Sequence, residues 1–389
     1  MFSSRLRRAA GRNRLAIALD RRRAAGLPIA DLTLSNPTHA GLAYPSGLLA
    51  PMAHDGSLRY DPEPFGLLSA RQAVSDDLAR RGLSVPASRT VLTASTSEAY
   101  SLLFKLLCDP GDAVLAPRPS YPLVEHLTDL DGVVLEQYRL EFHGRWEVDL
   151  QELRAKAGAG RPRAIIMINP NNPTGSVVTD GELDAMTAIA REHDLALISD
   201  EVFTDYPISG AQPASALRQQ MALTFMLGGL SKSVGLPQVK LGWIAVGGPA
   251  LLVADALERL ETICDAYLSV STPVQVAAPH LLSAGAAVRT QLQERVRGNW
   301  VQLTALASAN PACAVIPAEA GWYAVVQVPA LASEDTIVLD LLERTGVLVH
   351  PGYFFDFERE AFLVISLLPE PGLFASAVQA LFGHVGAPQ

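Results

Sequence analysis

Through the middle of the chain, short aliphatic and β-branched runs alternate with longer stretches whose apolar positions recur every three to four residues. The short runs are RTVLTA (89–94), DAVLAP (112–117), GVVLEQY (132–138), RAIIMIN (163–169), LALISD (195–200), LTFMLGG (223–229) and KLGWIAVGG (240–248). They read as strands, several of them apolar on both faces. Between them, 66–82, 97–108 and 179–193 carry the helical period. This rhythm predicts an α/β fold with a mostly parallel sheet of the seven-stranded type, sandwiched by helices. Such sheets bind ligands beyond the C-terminal ends of their strands.

After a long helical stretch, 273–309, the elements shorten. Strands near 313–316, 322–328, 347–350 and 362–368 flank a helix at 334–345, and a last helix follows at 371–384. This reads as a smaller α+β domain. The expected division is an N-terminal segment, 1–40, joining that small domain, a large ligand-binding domain, 41–290, and the small domain, 291–389.

Composition narrows the function. The chain has 389 residues, 49% hydrophobic and 18% charged, which is globular rather than disordered composition. A net charge of −9 argues against a nucleic-acid partner. The N-terminal stretch SSRLRRAAGRNRLAIALDRRR runs the other way, with eight Arg and one Asp. A transit peptide has this look. An amphipathic helix on an acidic neighbour fits better, because the stretch leads directly into the strand-like IADLTLSNPT with no recognisable cleavage region. Three scattered cysteines give no disulfide framework, and eight histidines without a paired spacing give no metal site. No apolar run of about 18 residues escapes a charge or a helix breaker. A soluble protein of a reducing, cytoplasmic compartment is expected.

Four stretches carry candidate chemistry, each at a strand end. In TASTSEAY (93–100), Ser95, Thr96 and Ser97 sit where a strand gives way to a helix. Hydroxyls and free N–H groups there form an anion site, or simply a helix cap with Glu98 in the first turn. NPNNPTG (169–175) has more Asn and Pro than a turn needs, which marks Asn172 as an aimed amide. ISDEVF (198–203) ends a strand with two acids. Strand alternation points Asp200 at the crevice and Glu201 away. The fourth stretch, GGLSKSVGLPQVKLGW (228–243), holds two of the chain's four lysines, against 27 arginines. Lys can lose its proton and attack a carbonyl, whereas Arg cannot. Lys232 therefore reads as an amine kept for covalent chemistry. An amine, an anion site, an acid able to pair with a ring N–H and an amide together match pyridoxal 5′-phosphate (PLP) held as a Schiff base.

The same stretches resemble the fold-type I, class I/II PLP-dependent aminotransferases, from SNPT (35–38) to VISLL (364–368). YDPEPFGLLSAR (60–71), DPGDAVLAPRPSYP (109–122), NPNNPTG, SDEV, SK…LGW and HPGYFF (350–355) each have a counterpart in that family. The resemblance implies a role for each matching residue. Lys232, beside Ser231, forms the internal aldimine and shuttles the substrate proton. Asp200 holds the pyridinium N–H. Asn172 donates to the ring O3′, and Tyr121 stacks on the ring. Ser95, Thr96, Ser97 and Lys240 bind phosphate. Tyr60 reaches the phosphate of a second subunit, which implies a homodimer with shared active sites. Ser35, Asn36 and Asn172 lie on the substrate side.

Three positions depart from the family pattern. Lys240 replaces a phosphate-binding Arg. Phe203 replaces a Tyr whose hydroxyl reaches O3′, with Tyr206 as an alternative source of a hydroxyl. Val364 replaces the Arg that grips the substrate α-carboxylate, leaving Arg118 or Arg359 as remote substitutes. The expected activity is amino-group transfer between an amino acid and a 2-oxo acid. A PLP-dependent lyase or decarboxylase on the same scaffold would also suit the lost Arg. An inactive binding homologue is disfavoured by the presence of Lys232, Asp200 and Asn172 together.

Overall fold

The computed structural model describes residues 2–5, 13–209 and 213–386. Residues 6–12 of the Arg-rich stretch lie outside that set. The rest of the stretch forms helix α1 (Arg14–Ala24), capped by Asn13, whose side chain accepts from Ala16 N–H. Helix α1 lies on α10 (Glu334–Thr345), where Arg14 pairs with Asp335 at 2.8 Å and Arg22 donates to the Glu343 carbonyl. The expected acidic neighbour is therefore a helix of the same chain. Strand β1 (Ala30–Asp31) then pairs in parallel with β12 (Val347–Leu348).

The large sheet has eight strands: β2 (Thr90–Thr93), β3 (Ala113–Arg118), β4 (Val134–Phe142), β5 (Trp146–Val148), β6 (Pro162–Ile168), β7 (Ala196–Asp200), β8 (Thr224–Gly229) and β9 (Gly242–Gly247). Their order is β2-β9-β8-β7-β6-β3-β4-β5. Only β9 and β5 run antiparallel to their neighbours. All seven strands expected from the hydrophobic runs are present, and β5 is an added edge strand. Residues such as Ile165, Ile166, Leu197 and Ile198 are fully buried, because helices cover both faces. Those helices are α2 (Leu68–Arg80), α3 (Thr96–Leu107), α4 (Leu123–Asp131), α5 (Leu150–Ala157), α6 (Asp180–Glu192), the single turn α7 (Leu230–Ser233) and α8 (Ala250–Tyr267). The start of α6 shows why sequence sets these boundaries: Thr179 and Glu182 form a reciprocal capping box.

Helix α9 (Thr272–Ser308) spans 37 residues and packs against both α2 and α11 (Pro371–Val385). Beyond it, β10 (Ala314–Val315), β11 (Tyr323–Gln327), β13 (His350–Pro351) and β14 (Phe362–Ser366) form a four-stranded antiparallel sheet, β10-β11-β14-β13. Its core includes Val325, Val364, Leu341 and Phe382, together with Leu15 and Leu32 from the N-terminal segment. Among the described residues, no helix is long and apolar enough to cross a membrane.

Candidate active site

Strands β2, β3, β6, β7 and β8 all end at one edge of the large sheet. Strand β9 runs the other way, so its first residue, Gly242, lies at that same edge, opposite Thr93 and Gly229. Segments far apart in sequence therefore converge there.

Lys232 rides on α7, the turn directly after β8. Its Nζ lies 5.0 Å from the ring centre of Trp322 and 5.7 Å from that of Phe203. No described residue gives it a hydrogen bond or a close ion pair. Burial lowers its pKa to about 8, with Asp200 pulling the other way. The amine is thus partly available as a nucleophile near neutral pH, which the rarity of Lys in this chain had suggested.

Asp200 ends β7. Its Oδ1 accepts from Val202 N–H at 3.3 Å, and its Oδ2 accepts from the Tyr100 hydroxyl at 3.2 Å. Burial pushes its pKa up to about 6. Glu201 adds to the rise, whereas the two hydrogen bonds and Lys232 oppose it. Glu201 points away, as strand alternation required. It is buried against Arg81 at 2.5 Å and accepts from Ser199, Ser215 and the Ala216 N–H. One carboxylate of the pair is consumed by structure and the other is left facing the crevice.

The NPNNPTG turn makes the same division among its amides. Asn169 bonds to the Ala214 carbonyl and Val178 N–H, and Asn171 bonds to the Pro119 carbonyl and Thr174. Asn172 Oδ1 is buried and has no partner among the described residues. Gly175 closes the turn at φ +66°, where an added Cβ would lie 2.7 Å from the Ala320 carbonyl oxygen. The turn is thereby locked onto the small sheet's lead-in.

Helix α3 starts at the same edge. Ser95 is its N-cap, accepting from Glu98 N–H at 3.2 Å, and Glu98 in turn accepts from Ala94 N–H. The capping role expected as the plain alternative is real for Ser95. Thr96 and Ser97 lie in the first turn, half-buried, and no described group engages their hydroxyls. Ser231 is half-buried beside Lys232. Lys240 is exposed, in left-handed backbone at φ +60°. Tyr121 is 46% exposed and stands near Tyr323, while Tyr60 is 64% exposed.

The side of the site built by the small sheet is different in kind. Phe203 is buried edge-on against Trp322 (5.3 Å between ring centres) and Tyr323 (6.2 Å). Tyr206 does not offer a spare hydroxyl, because it donates to the Lys232 and Ser233 carbonyls and so anchors the lysine turn. Val364 is wholly buried, level with Val325 on β11 and His350 on β13. Arg118 is held by Glu358 at 2.8 Å. Arg118 and Arg359 line a separate cleft of about 360 Å³, walled by Trp146 and Phe362, to which Lys232, Asp200 and Asn172 contribute nothing. Ser35 is beside the Tyr323 hydroxyl, and the Asn36 side chain is spent on capping a short helical turn through Thr38.

Sequence reasoning missed Tyr100, Trp322 and Tyr323. Tyr100 lies one helical turn beyond Thr96, so a hydroxyl on that face of α3 was the available signal. Nothing local marks Trp322 or Tyr323, which meet Phe203 only through tertiary packing.

These groups define a site for a carbonyl-bearing, anionic cofactor at the strand-end edge of a doubly covered α/β sheet. The family model described as aminotransferase class I and II matches residues 44–380, and the chain belongs to that family. It is a PLP-dependent enzyme that transfers amino groups between amino acids and 2-oxo acids. The chain is 28% identical over 376 residues to an alanine aminotransferase of Mycobacterium tuberculosis, covering 92% of this chain and 86% of the relative. It is 26% identical over 370 residues to a glutamate–pyruvate aminotransferase of Haemophilus influenzae, covering 92% and 90%. The fold is similar to that of an Escherichia coli aminotransferase (TM-score 0.86, 24% identity, 99% and 98% covered). It is likewise similar to that of an aspartate aminotransferase variant from Thermus thermophilus (TM-score 0.85, 23% identity, 99% of both chains). The residues present fit the cofactor: a depressed amine, a buried carboxyl, an amide with an orphaned oxygen, and a helix start with unclaimed hydroxyls.

Proposed function

We propose that Lys232 holds PLP covalently and serves the chemistry of an aminotransferase whose substrate is recognised without an Arg at position 364. When bound, the cofactor supplies an electron sink for the bonds at the substrate Cα. In this reading Lys232 Nζ would hold and move the substrate Cα proton, as an amine lowered by burial to about 8 in this structure can both take and give a proton near neutral pH. Asp200 keeps the ring nitrogen protonated. Asn172 turns its Nδ2 to the ring oxygen, which leaves its orphaned Oδ1 for a donor on the substrate side. Tyr121 covers the ring, and Phe203 borders it with no hydroxyl to offer. Ser95, Thr96, Ser97, Ser231 and Lys240 receive the phosphate, the helix N–H groups adding to the charge of Lys240. Ser35 and Asn36 border the substrate.

The observation that carries this reading is the unpartnered, depressed Lys232 at one edge with Asp200 and Asn172. The aromatic surroundings of its amine, Phe203 and Trp322, favour an amino acid with an uncharged, apolar side chain. The name of one relative, alanine aminotransferase, points the same way, whereas that of another, glutamate–pyruvate aminotransferase, names glutamate as well. We further infer a homodimer in which the exposed Tyr60 completes the partner's phosphate site, a large domain over 41–290 with residues 1–40 joining the small domain, 291–389, and a cytoplasmic location in keeping with three dispersed free cysteines.

The test is a half-reaction. The yellow enzyme is mixed with single amino acids, and conversion to the pyridoxamine form is followed spectrally. Alanine and larger apolar amino acids are expected to convert it faster than aspartate or glutamate. Efficient conversion by aspartate with none by apolar amino acids would reject the substrate reading. Release of carbon dioxide or ammonia without pyridoxamine formation would favour a lyase.

A further inference from the structure

Tyr100 is almost wholly buried on α3, in a cluster with Phe104, and its hydroxyl is the one side-chain donor to Asp200 among the described residues. With the Val202 N–H on Oδ1 and Tyr100 on Oδ2, both carboxylate oxygens are tied, so the plane of the group is fixed. The electrostatics around Asp200 make this donor matter. Glu201 and burial both oppose its charge, and Lys232 is the one cation that favours it. Once Lys232 is used to hold the cofactor, its ammonium is no longer available for that purpose. The protein groups that then favour a charged Asp200 are the Val202 N–H and the Tyr100 hydroxyl. A hydrogen bond to an ionised group is among the stronger ones a protein makes.

We propose that Tyr100 is a positioning residue for catalysis: its hydroxyl holds the Asp200 carboxylate ionised and aimed at the cofactor ring nitrogen. The inference rests on the assignment of Asp200 to that nitrogen. It adds a third layer to the site, in which α3 serves the cofactor twice, by its first turn at the phosphate and by its second turn through Asp200.

The experiment reads Asp200 directly and does not depend on turnover. Full-length protein stripped of cofactor is titrated by infrared spectroscopy with labelled aspartate, using Asp200→Asn as the blank. In parallel, the apparent dissociation constant for PLP is measured against pH. The Asp200 midpoint is expected near pH 6 in the wild type. Tyr100→Phe keeps the ring and loses the donor, so the midpoint should rise by about one unit, a tenfold change in proton affinity. The pH below which PLP binding weakens should rise by the same amount. If Tyr100→Phe fails to fold, fluorotyrosine at position 100 gives the opposite sign: a more acidic donor should lower the midpoint. A residue that only fills space would change thermal stability and leave the midpoint where it was, and that result overturns the proposal. If Asp200→Asn binds PLP with wild-type affinity and spectrum, the ring-nitrogen assignment itself fails, and the proposal with it.

Discussion

The two lips of the active-site crevice are built by opposite rules. The lip at the edge of the large sheet presents polar groups left over from structural bonding among the described residues: Lys232, which has ring contacts but no hydrogen bond, Asn172 with an orphaned oxygen, and Thr96 and Ser97 with unclaimed hydroxyls. Its structural polar groups are paired close by, Glu201 with Arg81 and Asn171 with Thr174. The lip formed with the small sheet is mostly apolar, with Phe203, Trp322 and Tyr323 beside a buried row of Val325 and Val364, and it holds one leftover of its own, the buried Trp322 Nε1, for which no described group provides an acceptor. Buried polar groups normally find partners, so leftovers on one lip point to a bound group that supplies them. The second lip places a smaller demand, a single indole N–H at Trp322. The first lip therefore specifies the cofactor, and the second leaves substrate recognition to shape. The measurements below break or sharpen that contrast.

The largest effect is expected at Lys232. Lys232→Ala removes the amine from the polar lip, and turnover should fall by at least about 10²–10⁴-fold, the range for loss of a positioned acid–base group. Borohydride should fix PLP to a peptide containing Lys232 in the wild type and to none in the variant. A stable adduct on the same peptide of the variant would contradict the assignment.

Next is Val364→Arg, which writes a cation into the apolar lip. An Arg–carboxylate pair is charge-assisted and bidentate. kcat/KM is expected to rise by about tenfold for aspartate, glutamate and apolar donors alike, because every amino acid carries the α-carboxylate. The side chain at 364 is enclosed between Val325 and His350, so the variant should also lose about 1–3 kcal/mol of stability through overpacking. A denaturant titration and a donor panel read the two effects separately. Unchanged kcat/KM across the donor panel in a folded variant would show that 364 does not face the substrate carboxylate.

How much of this contrast was legible in the sequence differs between the lips. The polar lip was legible because each of its groups ends a strand that reads as a continuous buried run, and because Lys232 stands out in a chain that otherwise uses Arg. Asp200 and Glu201 were separable by alternation alone. The apolar lip was legible only as departures from a motif, at Phe203 and Val364. Its composition depends on Trp322 and Tyr323, more than 100 residues from Phe203, meeting that ring through tertiary packing. Tyr100 escaped for the same reason, its partner lying 100 positions away. Strand β5 escaped because three residues with Glu147 at the centre carry too short a pattern to stand out from a loop.

A smaller effect is expected for Phe203→Tyr. A hydroxyl at this position would favour a charged ring oxygen on the cofactor, and such a bond is worth about 1.5–3 kcal/mol. The pH midpoint of the cofactor's spectral transition should therefore fall by roughly one to two units. The ring is buried edge-on to Trp322, so its orientation is already held by packing. An unchanged or higher midpoint would mean that position 203 does not reach the ring oxygen.

The smallest effect is on the stability of the cofactor-free protein, and it tests whether the polar lip is strained as its leftovers imply. Lys232 has a folded-state pKa lowered to about 8 from an ordinary 10.5. Below pH 8 the ammonium is charged in both folded and unfolded chains, so its full burial cost is present at neutral pH. Between pH 8 and 10.5 the folded chain has released the proton and the unfolded chain has not. Stability of the wild type therefore rises through that window, since the unfolded state binds more protons there. Lys232→Met keeps the length and removes the charge. The variant should be more stable than the wild type by about 2 kcal/mol at pH 7, and the difference should fade as the pH passes from 8 to 10.5. Asp200 trims the gain, because in the variant its carboxylate loses its one favourable cation. Thermal unfolding of the two apo-proteins at pH 7 and at pH 10 measures the difference. A variant less stable at pH 7, or a difference that does not change with pH, would mean that Lys232 is well solvated in the folded chain and that the polar lip carries no strain for the cofactor to relieve.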